Sequence, residues 1–170
     1  MSSIAIGNII SLFAAIFTLA SAWSTEKKRI YLYQTVQCLI MAVANIFFAS
    51  VSGVTTFVLC AVRNLLVAYG RFSKRLCIVF VAAVAVLGIT ANNRGAVGLI
   101  PVATTVLYTV LCFYAQRPKA IKLNIFANLS LWALYDILIL DYVSFAVDTG
   151  SSLTALLSLF RKGSKEPVQE

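Results

Sequence analysis

Lys27-Lys28-Arg29-Ile30-Tyr31-Leu32 decides how this chain is read. The three cations follow one apolar run, about Ile4 to Trp23, and precede another, about Tyr31 to Ala49. The same punctuation recurs at Arg71, Lys74, Arg75, at Arg117, Lys119, Lys122, and at Arg161, Lys162, Lys165, so twelve of the 14 Lys and Arg residues fall into four groups of three. About 40 mostly apolar residues separate consecutive groups. A helix rises about 1.5 Å per residue and the hydrocarbon core is about 30 Å thick, so each interval is long enough for two crossings. Each interval leaves one face of a bilayer and returns to it. Basic residues are retained on the cytoplasmic face, so all four groups are expected there.

Seven spans follow from this spacing. They are about Ile4 to Trp23, Tyr31 to Ala49, Gly53 to Gly70, Leu76 to Thr90, Ala96 to Tyr114, Ile121 to Leu140 and Tyr142 to Phe160. The opposite face receives short turns, Ser50-Val51-Ser52, Ala91-Asn92-Asn93-Arg94-Gly95 and the surroundings of Asp141, with Arg94 their one cation. The expected topology has an external N-terminus and a cytoplasmic C-terminus, with a short polar tail at 163–170. Ala20-Ser21-Ala22 resembles a signal-peptide cleavage site, but the cations follow the apolar run instead of preceding it, so the first run reads as a retained span.

Composition agrees. The chain is 61% hydrophobic and 12% charged, against about 25% charged in an ordinary soluble domain, and its mean hydropathy is +0.91. The net charge of +8 lies in short interhelical groups and not on one solvated face, which argues against a nucleic-acid partner. The partner these groups suit is the bilayer itself, through anionic headgroups. There is no histidine, which removes histidine-based triads, HExxH zinc sites and histidine haem ligation. Cys38, Cys60, Cys77 and Cys112 form no CxxC pair and read as small buried hydrophobes. No phosphate-binding glycine loop occurs. The expectation is no enzyme, no cofactor and no metal.

The chain also repeats itself. A shift of 91 residues lays 5–74 on 96–165 without a gap. Gly7 meets Gly98, Thr18 meets Thr109, Lys28 meets Lys119, and Ile30-Tyr31-Leu32 meets Ile121-Lys122-Leu123. Polar positions correspond in kind: Gln37 with Asn128, Asn45 with Asp136, Ser50 with Asp141. Two three-helix units of like orientation need one extra span between them. The expected fold is therefore all-α, a single transmembrane domain over 1–170 with seven helices as 3+1+3. Repeat 1 is about 5–74, the linker helix about 76–90 and repeat 2 about 96–165. Parallel-repeat transporters of the SWEET type share this plan, with their solute site between the repeats.

Gln37, Gly53, Arg63-Asn64-Leu65 and Leu99-Ile100-Pro101-Val102 carry a further likeness. On them the whole chain resembles the YgjV-type bacterial inner membrane proteins, a family similar to the SWEET, PQ-loop and PnuC-like transporters. The resemblance implies the seven-helix fold and a bacterial plasma (inner) membrane location. It implies no solute. Sugar-transporting relatives place a proline in the first helix of each repeat. Here Pro101 has Ile10 as its counterpart, and no PQ dipeptide occurs.

Polar residues deep in the spans are the candidate site. A charge near the bilayer centre costs about 2.5 to 3.5 kcal/mol, so it needs a partner or a water-filled cavity. Arg63 and Asp148 are such charges at neighbouring depths. Three readings are open: an ion pair locking the repeats, contacts to a solute or proton, or snorkelling of Arg63 to the surface. Gln37 and Asn128 share a depth, with Gln34, Met41, Asn45, Asn124, Trp132 and Tyr135 on the same faces. Amides there either glue helices or line a cavity. Trp132 and Tyr135 are expected to stack on a flat polar solute. The expected solute-binding set is Gln37, Arg63, Asn64, Asn128, Trp132 and Asp148. Asn45, Asp136 and Asp141 lie near the external rim and read mostly as solvated end residues, with an outer vestibule as the alternative. The leading function is a facilitator or secondary transporter of a small polar solute. The alternative is a non-transporting membrane protein that binds a lipid or protein partner. A homo-oligomer is compatible with either.

Overall fold

The computed structural model describes residues 2–24, 26–114 and 118–160, and among their side chains omits 22, 23, 27, 112–122 and 158–160. Cys112, the Arg117, Lys119, Lys122 group, the Arg161, Lys162, Lys165 group and the 163–170 tail thus lie outside the described side chains or residues. The described residues form seven helices: α1 Ser3–Trp23, α2 Lys27–Phe47, α3 Val51–Ala68, α4 Lys74–Thr90, α5 Ala96–Tyr114, α6 Pro118–Ile139 and α7 Tyr142–Phe160.

Local chemistry sets these limits. Ser2, Ser50 and Ser73 are N-caps whose side chains accept from the amides of Ala5, Gly53 and Leu76. Pro118 opens α6, where its missing N–H is no loss. Pro101 lies inside α5, which membrane helices tolerate when neighbours satisfy the freed carbonyl.

The α2–α3 and α6–α7 turns are built alike, 91 residues apart. Each closes on a non-glycine residue with positive φ, Ala49 at 52° and Leu140 at 67°. In the first turn, Ala49 N donates to Ile46 O at 3.0 Å and Ser50 N to Asn45 O at 3.0 Å. In the second, Leu140 N donates to Ile137 O at 3.3 Å and Asp141 N to Asp136 O at 2.9 Å. These are paired Schellman closures. Ser50 Oγ then accepts from Gly53 N, and Asp141 Oδ1 accepts from Ser144 N at the corresponding place.

Packing repeats with the same offset. α2 packs on α1 and α3, and α6 packs on α5 and α7. Across the middle α1 meets α7, and its counterpart α5 meets α3, the counterpart of α7. Among the described residues α4 packs on α3 and α5 alone, at the edge. Gly88 permits that approach: a Cβ there would fall 2.4 Å from Val102 Cγ2.

The interior mixes apolar core with buried polar side chains, and the exterior is apolar. Ser11, Asn45, Thr56, Asn64, Thr104, Thr105, Thr109 and Asp136 are buried, while Leu12, Phe13, Ile16, Ile46, Ile78, Val79 and Leu157 are exposed. Such an exterior suits lipid. Segments Ser3–Ser21, Lys28–Phe47 and Val51–Ala68 are long and apolar enough to cross a bilayer. The two ends of the bundle differ. At one, Lys28 Nζ lies 5.1 Å from the centre of the Tyr69 ring, joining the start of α2 to the end of α3. At the other, Arg94 donates to the carbonyls of Phe48 and Ala49.

Candidate functional site

Six helices, all except α4, enclose a cavity of about 420 Å³. Gln37 of α2, Arg63 and Asn64 of α3, Asn128 and Trp132 of α6, and Asp148 of α7 all line it. The wall is paired by the 91-residue offset: Ala14 with Thr105, Gln37 with Asn128, Met41 with Trp132, Phe57 with Asp148 and Cys60 with Ser151. Its two halves match in place and differ in chemistry. Where one presents Phe57, the other presents a carboxylate.

Arg63 is held, not loose. Its Nη1 donates to Thr109 Oγ1 at 2.9 Å, and its Nε and Nη2 donate to Asn64 Oδ1 at 3.3 and 3.2 Å. The guanidinium carbon lies 5.1 Å from the Tyr108 ring centre and 5.9 Å from that of Phe80, within cation–π range. Asn64 itself is buried and donates to Cys38 Sγ at 3.7 Å. Arg63 therefore turns toward α4 and α5, and no salt bridge joins it to Asp148; the ion pair among the described residues is Glu26–Arg29 at 2.7 Å. The ion-pair reading is thus corrected: the cation donates to neutral oxygen acceptors on α3 and α5 and lies over rings of α4 and α5. Snorkelling is corrected with it.

Trp132 lines the cavity with one face covered, because Phe57 stacks on it at 4.7 Å. Tyr135 does not line the cavity. It is fully buried, donates to Asn45 Oδ1 at 2.7 Å and shares a 2.6 Å hydrogen bond with Ser50 Oγ. Its expected stacking on a solute is replaced by a lock between α6 and the α2–α3 turn. Gln34 and Met41 join the wall, while Asn45 and Asn124 are buried outside it.

The rim assignment of Asn45, Asp136 and Asp141 is wrong, since all three are buried. The reason is a cover over both turns. Asn8 of α1 donates to Leu140 O at 2.9 Å and accepts from Val143 N at 3.2 Å. Asn93 of the α4–α5 loop does the same at the other turn, donating to Ala49 O at 2.9 Å and accepting from Val51 N at 3.0 Å. Asp141 accepts from Ser11 Oγ at 2.7 Å. Burial raises its carboxyl above the usual range, while the hydrogen bonds from Ser11, Ser144 and Val143 oppose that rise.

The cavity consequently has one closed end. Toward the covered turns its wall stops at Ser11, Met41, Asp136 and Ser144. Toward the basic groups it continues to Ser21, in the last turn of α1, and Ile30, in the first turn of α2.

A family model described as Imp-YgjV, bacterial inner membrane protein, matches residues 5–166. The chain belongs to the Imp-YgjV family. No curated protein and no solved structure matches it. As an Imp-YgjV member it is a bacterial inner membrane protein, and its apolar exterior and polar cavity are read in that setting. Ser11, Thr105, Tyr108, Ser144 and Ser151 also line the cavity of this Imp-YgjV chain and had no signal in the sequence. Hydroxyls are common in apolar helices, where they bond back to their own carbonyls, as Thr109 does to Thr105 O at 2.7 Å.

Proposed function

We propose that this protein is a facilitator or secondary transporter that moves a small polar solute by alternating access through its central cavity. The observation that carries the proposal is a cavity of about 420 Å³ between the two 91-residue-related halves, bearing amides, a guanidinium, two carboxylates and an indole together. A packed structural bundle has no use for such a space. A solute site needs one, with few polar groups set among apolar walls. The one-sided closure supports the same reading, because an alternating carrier is shut at one face in each of its states.

Seven spans form a 3+1+3 bundle of parallel repeats, α1–α3 and α5–α7, with α4 as linker, similar in plan to SWEET and PnuC-like carriers. The matched helix limits, turns and packing partners support it. The basic groups are placed in the cytoplasm and the covered turns outside, with the start of α1 external. Gln37, Asn128 and Trp132 would meet the solute from α2 and α6, Asp148 from α7, and Arg63 and Asn64 from α3. No step of catalysis is involved.

A thermal-shift screen of the purified protein against pools of polar metabolites tests the binding half, since a ligand of the folded state raises its melting temperature. A stabilising compound should then enter proteoliposomes saturably, and Asn128→Ala should weaken both effects. Stabilisation without uptake would leave a binding protein and sink the transport reading.

A further inference from the structure

We infer that Asp136, with Asp148 beside it, forms a subsite for a monovalent cationic group at the closed end of the cavity. The inference deepens the transport reading and rests on the cavity being a solute site.

It starts from a break in the repeat. Asn45 and Asp136 occupy the same place in the two halves. Asn45 is satisfied, since it accepts from the Tyr135 hydroxyl at 2.7 Å and donates to Met41 O at 2.9 Å. The residue 91 positions before Tyr135 is Ala44, also fully buried. A methyl group stands where the second half would need a phenol to serve Asp136. Among the described residues neither carboxylate oxygen of Asp136 has a hydrogen-bond partner, although Asp136 is 1% exposed. A buried carboxylate without donors is costly as an anion, so its place demands a positive occupant or a proton.

The surroundings fit a cation. Asp136 and Asp148 both line the cavity, and each feels the charge of Asp141 in the adjoining turn. Asp141 is already engaged by Ser11 and Ser144, which leaves the other two for an occupant. α1, α2 and α5 bring Ser11, Met41, Cys38, Thr105 and Tyr108 to the wall, none of them charged at neutral pH. The cation in the wall is Arg63, and its guanidinium is turned to Thr109 and Asn64. With both carboxylates ionised, two negative charges would face one guanidinium, an imbalance that a positive occupant or a proton relieves. The occupant is either a free monovalent cation, a proton included, or the ammonium end of the solute.

The test is the melting temperature of the purified full chain in N-methyl-D-glucamine chloride, with sodium, potassium or methylammonium substituted at constant ionic strength. Asp136→Asn and Asp148→Asn are compared with the wild type, and pH is varied from 8 to 5 in the glucamine buffer. We expect a saturable rise of about 3 to 6 °C at ten times Kd, absent in both variants. A rise with sodium or potassium assigns a free ion. A rise with methylammonium alone assigns the solute's amine. A wild type that gains more stability toward pH 5 than Asp136→Asn does assigns a proton. Asp148→Asn, at a half-buried position, keeps the test readable if Asp136→Asn fails to fold. Equal responses of the wild type and both variants to every cation and to pH would overturn the subsite. That result would leave solute uptake untouched, so the two proposals fail separately.

Discussion

Tyr135 shows how one hydroxyl can fix a helix end. It ties Asn45 of α2 to Ser50, the cap of α3, at the spot where Gly53 leaves room for both. A Cβ at residue 53 would lie 2.1 Å from Asn45 Oδ1 and 2.4 Å from the Tyr135 hydroxyl. Tyr135→Phe should therefore lose about 1 to 3 kcal/mol, the cost of stranding buried polar partners. Gly53→Ala should lose a similar amount through overpacking. Denaturant titration in detergent reads both, and wild-type stability in either would remove the lock. Asn64→Ala should also destabilise, by about 1.5 to 3 kcal/mol for a hydrogen bond to a charged group, whereas Arg63→Ala and Asp148→Ala should combine additively because no pair joins them. A double mutant that recovered stability would restore the ion-pair reading. That Gln37, Arg63, Asn64, Asn128 and Asp148 lie at the cavity wall was legible because amides and charges are scarce in apolar spans. The surroundings of Tyr135 and Asp136 were not: Tyr135 read as a stacking face because its partners Asn45 and Ser50 lie far off in sequence, and Asp136, near a helix end, read as solvated because the segment that covers that end was not known.

The turns carry the clearest prediction for the elements. Ala49 holds a positive φ of 52° at the end of α2, a conformation that costs an L-residue about 1 to 2 kcal/mol and glycine little. Ala49→Gly should stabilise the protein by about 1 kcal/mol, visible as a higher melting temperature; a loss would mean that the Ala49 methyl makes contacts that matter more than backbone strain. At Asp141 the sign with pH is set by burial. Its carboxyl is raised in the folded state, so its contribution to stability is full below the unfolded value and falls as pH climbs through the folded one. Asp141→Asn, which keeps an oxygen for Ser144 N, should flatten that fall. Helix number and limits were readable from cation spacing and apolar runs. The shared Schellman turns were not, since neither Ala49 nor Leu140 is the glycine that usually marks one. The 91-residue match of Ser50 with Asp141 was the available signal, and the structure gives it meaning as a pair of caps.

For the whole molecule, six of the seven helices surround a cavity and the cover over two turns closes one end. Cysteine labelling checks the proposed sidedness: Arg94→Cys should react with an impermeant reagent outside intact cells, and Lys74→Cys should not. The reverse pattern would invert the topology. The direct test of alternating access uses Cys38 and Cys60, which line the cavity and are free thiols. In a Cys77→Ala, Cys112→Ala background, a small impermeant thiosulfonate is applied to right-side-out and to inverted membrane vesicles, and modification of the two thiols is quantified by mass spectrometry. The account predicts modification from both faces, faster from the face bearing the basic groups. Modification from neither face, or from one face under every condition, would contradict it.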